Sequence, residues 1–295
     1  MTDLEIKIAE VAAEIEKTLK DGYGEQDGPI GVLFEAEKYS LLAGGKRIRP
    51  FIAMQVCEAL GGDREAVKPF AAALEMIHTY SLIHDDLPCM DNDDMRRGKP
   101  TSHKVYGEAT ALLAGDALLT RAFLTAASNS NVDAETAGEA IKLLAEAAGD
   151  EGMIGGQTID LDGEKRRLEF SELLTLHRLK TGALIKCAAL LGVISAGYGR
   201  DSREAREAER YAEGIGLAFQ VVDDILDATA TAEALGKSVG GDAERNKTTF
   251  LTYYSVDGAW EYAREITEES VRSIETWQSP DTLRDLAYYL LNRKN

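Results

Sequence analysis

The chain has 295 residues, 44% of them hydrophobic and 28% charged, which is enough apolar material for a large buried core. Its formal net charge of −18 excludes a sequence-independent nucleic-acid binder, which needs a basic face. Cys57, Cys89 and Cys187 are widely spaced with no CxxC pair, so they suit a reducing compartment and not a disulfide framework.

The N-terminal stretch MTDLEIKIAEVAAEIEKTLKDG carries acids throughout and lacks the basic start and apolar centre of a secretory signal. With the cysteines, this points to the cytoplasm. Prolines stand at 29, 50, 69, 88, 100 and 280, so nothing between the last two forbids long helices. Helical spacing of apolar residues predicts helices over 3–20, 31–42, 50–60, 67–87, 107–128, 134–149, 169–197 and 258–275. Another, over 207–227, has Tyr211, Ile215, Ala218, Val222 and Ile225 as its apolar stripe. ALIKCAALLGVISAGYG is the most apolar segment, but Lys186 interrupts it and it is too short to span a bilayer. GGDREA, SNSNVDAET, GDEG and AGYGRDSREA read as helix ends and short connections, and strand-like alternation is hard to find. The expectation is a single all-α domain over residues 1–295.

Two acidic clusters stand out. The first, HDDLPCMDNDDMRRGKP, puts five aspartates into ten residues and follows them with Arg96, Arg97 and Lys99. Pro88 ends the helix that precedes it, and His78, Ser81 and Asp85 share one face of that helix. Asp91 joins Asp85 only if the chain bends back. An EF-hand is excluded, because the ligand alternation, central glycine and distal glutamate are missing.

The second cluster is Asp223, Asp224 and Asp227. With Gln220 as zero on a helical wheel, they fall near −60°, +40° and −20°. Glu213 and Gly216 share that strip, and Phe219, Val221 and Leu226 flank it. A thin carboxylate strip bordered by large apolar groups suits a helix lining a cavity, with a cation among the carboxylates. Hard oxygen donors favour Mg²⁺, which keeps several waters and commonly shares carboxylates with substrate phosphates. LGKS (235–238) is no P-loop, since Thr231 stands where the first glycine belongs.

Together the clusters read DDxxxxD and DDxxD, each followed by basic residues. The chain thereby resembles the trans-isoprenyl diphosphate synthases of the polyprenyl synthetase family, in their farnesyl and geranylgeranyl branch. The matching segments run in order: GGKRIRP (44–50), SLIHDDLPCMDNDDMRRGKPTSH (81–103), AGDALL (114–119), GGQTIDL (155–161), KTGALI (180–185), FQVVDDILD (219–227) and LGKSVGGDAERNKTTF (235–250). The first motif, with its two extra residues, is similar to bacterial and plastid-type members.

The resemblance implies a helical bundle around a central cavity and a condensation of isopentenyl diphosphate with dimethylallyl or geranyl diphosphate. It implies three Mg²⁺: two on Asp85, Asp86 and Asp91, and one on Asp223 and Asp224, with Asp227 closing the motif. Arg96, Lys180 and Lys237 would grip the allylic diphosphate, while Thr181 and Gln220 help to line the cation site. Lys46, Arg49, His78 and Arg97 would hold isopentenyl diphosphate without metal. Asp242 and Lys247 would belong to a loop that closes over the site, although Gly241 stands where many members have lysine. Cys89 is expected to pack, not to act as a nucleophile. The tail NRKN resembles family tails that fold over the site, and it reads equally as a frayed helix end. A homodimer is the family's usual assembly.

Tyr80 and Ser81 lie five and four residues before Asp85, roughly one isoprene unit deeper along the helix. In the family an aromatic residue at the Tyr80 position goes with a C15 product. That favours farnesyl diphosphate, although DLPCMDND also resembles C20 synthases. Two other readings are a class I terpene cyclase, which does not need the pocket of Lys46, Arg49 and His78, and a non-catalytic prenyl synthase subunit. Such subunits tend to lose aspartates, and here both motifs are intact.

Overall fold

The computed structural model describes residues 1–24, 28–229 and 247–293. Lys237, Gly241, Asp242 and most of the predicted closing loop lie outside the described residues. The first helix, α1 (Asp3–Asp21), starts at a capping box in which Thr2 and Glu5 satisfy each other's backbone N–H groups. Its stripe of Leu4, Ile8, Val11, Ile15 and Leu19 is buried.

Next come α2 (Gly31–Leu41), α3 (Ile48–Ala59) and α4 (Arg64–Asp85). Pro50 sits in the first turn of α3, where its missing N–H loses no helical bond. Pro69 lies inside α4 and cannot donate to the Glu65 carbonyl. Asn131 Nδ2 donates to that oxygen instead, at 2.9 Å.

A short hairpin, β1 (Met95–Arg96) with β2 (Lys99–Pro100), turns through Arg97 and Gly98 at φ 52° and 74°. Two consecutive positive φ values suit a type I′ turn. Strands of two residues are too short to leave an alternation signal, so the sequence pattern missed them.

The chain continues through α5 (Ser102–Tyr106), α6 (Glu108–Ala127), α7 (Ala134–Ala148), α8 (Met153–Gly163) and α9 (Phe170–His177). A π-helical turn (Arg178–Gly182) joins α9 to α10 (Ala183–Ser195), and α11 (Arg203–Thr229) carries the second aspartate motif. After a 3₁₀ turn (Phe250–Thr252) come α12 (Val256–Ser273) and α13 (Asp281–Leu291). The architecture is all-α, as expected. The predicted helix over 169–197 is interrupted by the π turn, and α5, α8 and α13 escaped the periodicity. In α8 the reason is composition: MIGGQTIDLDG has three glycines and no apolar stripe.

The most apolar segment of the sequence is the middle of the bundle. Helix α10 buries an unbroken run from Cys187 to Ile194 and packs on α3, α4, α7 and α11. Helix α6 is long and apolar enough to cross a membrane by length and composition alone. Here it lies along α4, burying Ala111, Ala114, Leu118, Ala122 and Ala126. A second apolar cluster, with Val221, Val222 and Ile225 of α11, Phe250 and Leu176, lies beside the second motif.

Candidate active site

The first motif is shaped by the end of α4. Beyond the helix the chain does bend back: the Asp91 N–H donates to the Asp85 carbonyl at 2.8 Å, and Asn92 takes φ 53°. This returns Asp91 to Asp85. Burial is the first reason the Asp85 carboxyl is pushed up to about 6, with like charge on Asp91 and Asp160 adding to it against Lys180 and Arg96. Asp86 is buried and is also raised by burial, against the pull of Arg96. Arg96 Nε reaches both Asp86 oxygens, at 2.7 and 2.9 Å. The hairpin separates its two arginines, since Arg97 turns away to donate to the Gly44 carbonyl. Cys89 is exposed, which corrects its expected packing role: Pro88 carries the insert off the helix and outward.

The π turn presents Lys180 and Thr181. An extra residue in one turn re-aims the side chains that follow, a common use of this element at functional sites. Lys180 Nζ donates to Asp160 Oδ2 at 2.6 Å, and Lys247 Nζ donates to the same oxygen at 2.9 Å. Burial would raise Asp160, but these two cations more than offset it and hold the carboxyl below its ordinary range. Asp160 was not foreseen, although it lies in GGQTIDL. The glycines of that segment have a physical reason: a Cβ on Gly156 would come within 2.2 Å of the Lys180 nitrogen, so only glycine lets α8 approach the π turn.

The second motif is asymmetric. Asp224 is buried, and its Oδ2 accepts from the Phe250 N–H at 2.7 Å. His177 Nε2 lies 4.0 Å from the same oxygen, but burial lowers that imidazole to about 4, so it is neutral. Asp223 is half-buried, paired with Arg293 and 3.4 Å from Gln220 Nε2. Asp227 is half-buried at the end of the strip. Asp85, Lys180, Asp160, His177 and Asp224 therefore form a chain of electrostatic neighbours that brings the two motifs to one site. Among the described residues no three acidic or histidine side chains gather closely enough to hold an ion by themselves.

The basic pocket lies two turns earlier along α4. Arg49 Nη1 stands 3.3 Å from His78 Nε2. Burial, then Arg49 and Arg97, hold the His78 imidazole well below its usual value, so it is neutral and accepts from Arg49 through Nε2. Gly45, at φ 122°, forms part of the floor, since a Cβ there would lie 2.9 Å from the Arg97 guanidinium carbon. Lys46 Nζ donates to the Tyr289 hydroxyl at 2.9 Å. Tyr80 is buried with its hydroxyl unpartnered and its ring edge-on to His84, 5.7 Å away. Ser81 donates to the His78 carbonyl at 2.9 Å.

The family model for polyprenyl synthetase matches residues 31–286. The chain belongs to the polyprenyl synthetase family. It is 40% identical over 289 residues to the farnesyl diphosphate synthase of Haemophilus influenzae, covering 98% of both chains. It is 44% identical over 266 residues to the geranylgeranyl diphosphate synthase of Cyanophora paradoxa, covering 89% of this chain and 88% of that one. Among solved structures, the geranyltransferase of Helicobacter pylori complexed with magnesium and isoprenyl diphosphate matches with a TM-score of 0.83 and 32% identity, over 99% of this chain and 97% of that one. In this polyprenyl synthetase, Tyr289 and Arg293 are site neighbours that no motif announced. The basic NRKN tail hinted at Arg293, and nothing hinted at Tyr289.

Proposed function

We propose that this polyprenyl synthetase condenses isopentenyl diphosphate with dimethylallyl or geranyl diphosphate and releases farnesyl diphosphate. The observation that carries the reading is that α4 serves two anion sites of opposite make-up. His78 stands in a basic pocket with Arg49, and Asp85 and Asp86 stand two turns on beside Lys180 and Arg96. Seven residues of helix separate them by about 10 Å, which suits two diphosphates whose carbon tails must meet.

Oxygen-only donors and a half-buried Asp85 fit Mg²⁺. Asp85, Asp86 and Asp91 would hold two ions and Asp223 and Asp224 a third, with Asp227 closing the strip. Bound there, Mg²⁺ would neutralise the charge that develops on the allylic diphosphate as its carbon–oxygen bond breaks. Asp160 keeps Lys180 and Lys247 together on that side, where both ammonium groups can stabilise the same developing charge. Arg96 and Lys237 complete the grip, and Thr181 and Gln220 line the space between. Lys46, Arg49, His78 and Arg97 hold isopentenyl diphosphate and orient its double bond.

Tyr80 closes the tunnel at C15, and its burial and bulk support that length. Similarity to a geranylgeranyl diphosphate synthase favours a second reading, a C20 product. The test is incubation with isopentenyl diphosphate, geranyl diphosphate and Mg²⁺, then identification of the alcohol after phosphatase. Farnesol alone supports C15 and geranylgeraniol supports C20. A hydrocarbon would mean a cyclase, and no turnover a non-catalytic subunit. Leu112, Leu113 and Leu124 on the outer side of α6 support a homodimer, to be checked by sedimentation equilibrium. Free thiols on Cys57, Cys89 and Cys187 support a cytoplasmic setting.

A further inference from the structure

The C-terminal segment touches both halves of the site within little more than one turn of chain. Tyr289, in α13, accepts from Lys46 at 2.9 Å, and the ammonium lies 5.1 Å from the ring centroid. Four residues later Arg293 crosses to α11. Its guanidinium stacks on Phe219 at 3.9 Å, Nη2 donates to the Phe219 carbonyl at 3.1 Å, and the same nitrogen pairs with Asp223. The Arg293 side chain is only 18% exposed, and its Nε is buried with no partner. This is a seated side chain, not a frayed end.

We infer that Arg293 is the resident counter-charge of the second aspartate motif, displaced from Asp223 when a divalent ion binds, and that Tyr289 anchors the segment that delivers it. The inference rests on the proposed metal role of Asp223. Asp224 turns inward, with one oxygen on the Phe250 N–H, while Asp223 is the more exposed of the two and faces the guanidinium. A guanidinium and a metal ion cannot both occupy Asp223 Oδ1, so they compete. Stacking on Phe219 keeps the displaced arginine within reach of a bound diphosphate. The polyprenyl synthetase thereby holds a cation on Asp223 before loading and retains it beside the leaving group afterwards.

The test is Mn²⁺ binding to the full chain in the presence of inorganic pyrophosphate, followed by electron paramagnetic resonance. Arg293→Gln is expected to tighten Mn²⁺ binding roughly two- to fivefold, the range for a partly exposed ion pair. Tyr289→Phe should shift affinity in the same direction by less, and Arg293→Lys should restore most of the competition. In the Asp223→Asn background, Arg293→Gln should have no further effect. Unchanged Mn²⁺ affinity in Arg293→Gln, with weaker binding in Asp223→Asn, would overturn the counter-charge and leave the metal motif standing. If Asp223→Asn also binds Mn²⁺ as the wild type does, the metal role of the motif fails with it.

Discussion

Asp85→Asn should stabilise the metal-free protein. Its carboxyl is raised from 3.8 to about 6, chiefly by burial. The folded state therefore keeps a proton that the unfolded chain has released, and stability falls as pH rises from about 4 to about 6. Above pH 6 the loss is complete. Two pH units correspond to about 3 kcal/mol, an upper figure because Asp85 is only half-buried and water screens part of it. Asparagine has nearly the same shape and no charge to bury, so the variant escapes the loss. At pH 8 in EDTA its melting temperature should exceed that of the wild type by about 2–6 °C, on the usual scaling for a large domain.

At pH 4 the two proteins should melt together. Added Mg²⁺ and a bisphosphonate should reverse the order at pH 8, because ligand stabilises only the protein that can bind it. Differential scanning calorimetry at the two pH values measures all three quantities. A variant no more stable than wild type at pH 8, or one with the same gain at both pH values, would refute the idea that Asp85 carries an electrostatic load awaiting a cation.

Asp160→Asn removes the charge that gathers Lys180 and Lys247, and should lower kcat/KM for geranyl diphosphate roughly 10- to 100-fold, the scale of one or two charge-assisted hydrogen bonds. Gly45→Ala drives a methyl group against Arg97 at a strained φ, and should raise KM for isopentenyl diphosphate several-fold more than KM for the allylic substrate, read from separate saturation curves. Tyr80→Ala should extend the product from C15 to C20 on chromatography of the dephosphorylated alcohols, and unchanged farnesol would remove Tyr80 as the floor.

The carboxylates that touch charge were legible because ionic chemistry needs particular side chains at particular spacings. Asp85, Asp91 and the carboxylate strip of α11 follow from that, whereas Lys180 came only with the resemblance to the family. The supporting groups were harder to see because their reasons lie across the fold. Asp160 serves two lysines 20 and 87 residues away. Arg293 reaches Asp223 from the other end of the chain. The π turn is a one-residue change in winding within an otherwise helical pattern, and apolar periodicity over 169–197 does not resolve it.

The turn GGKRIRP shows why such support tolerates local cost. Arg47 adopts φ 49°, unfavourable for a residue with a Cβ, and its guanidinium is wholly buried against Glu75 at 2.5 Å and the Leu41 carbonyl at 2.6 Å. A buried ion pair is poor value as pure stabilisation, since desolvation consumes most of what attraction returns. What it supplies is position. Glu75 lies one turn before His78 on α4, so the pair fixes the loop bearing Lys46 and the start of α3 bearing Arg49 to the helix that also carries Asp85. A single rigid element then sets the distance between the two anion sites. That distance decides whether an allylic carbon and a double bond can meet, so the strained arginine is explained by the reaction geometry it enforces.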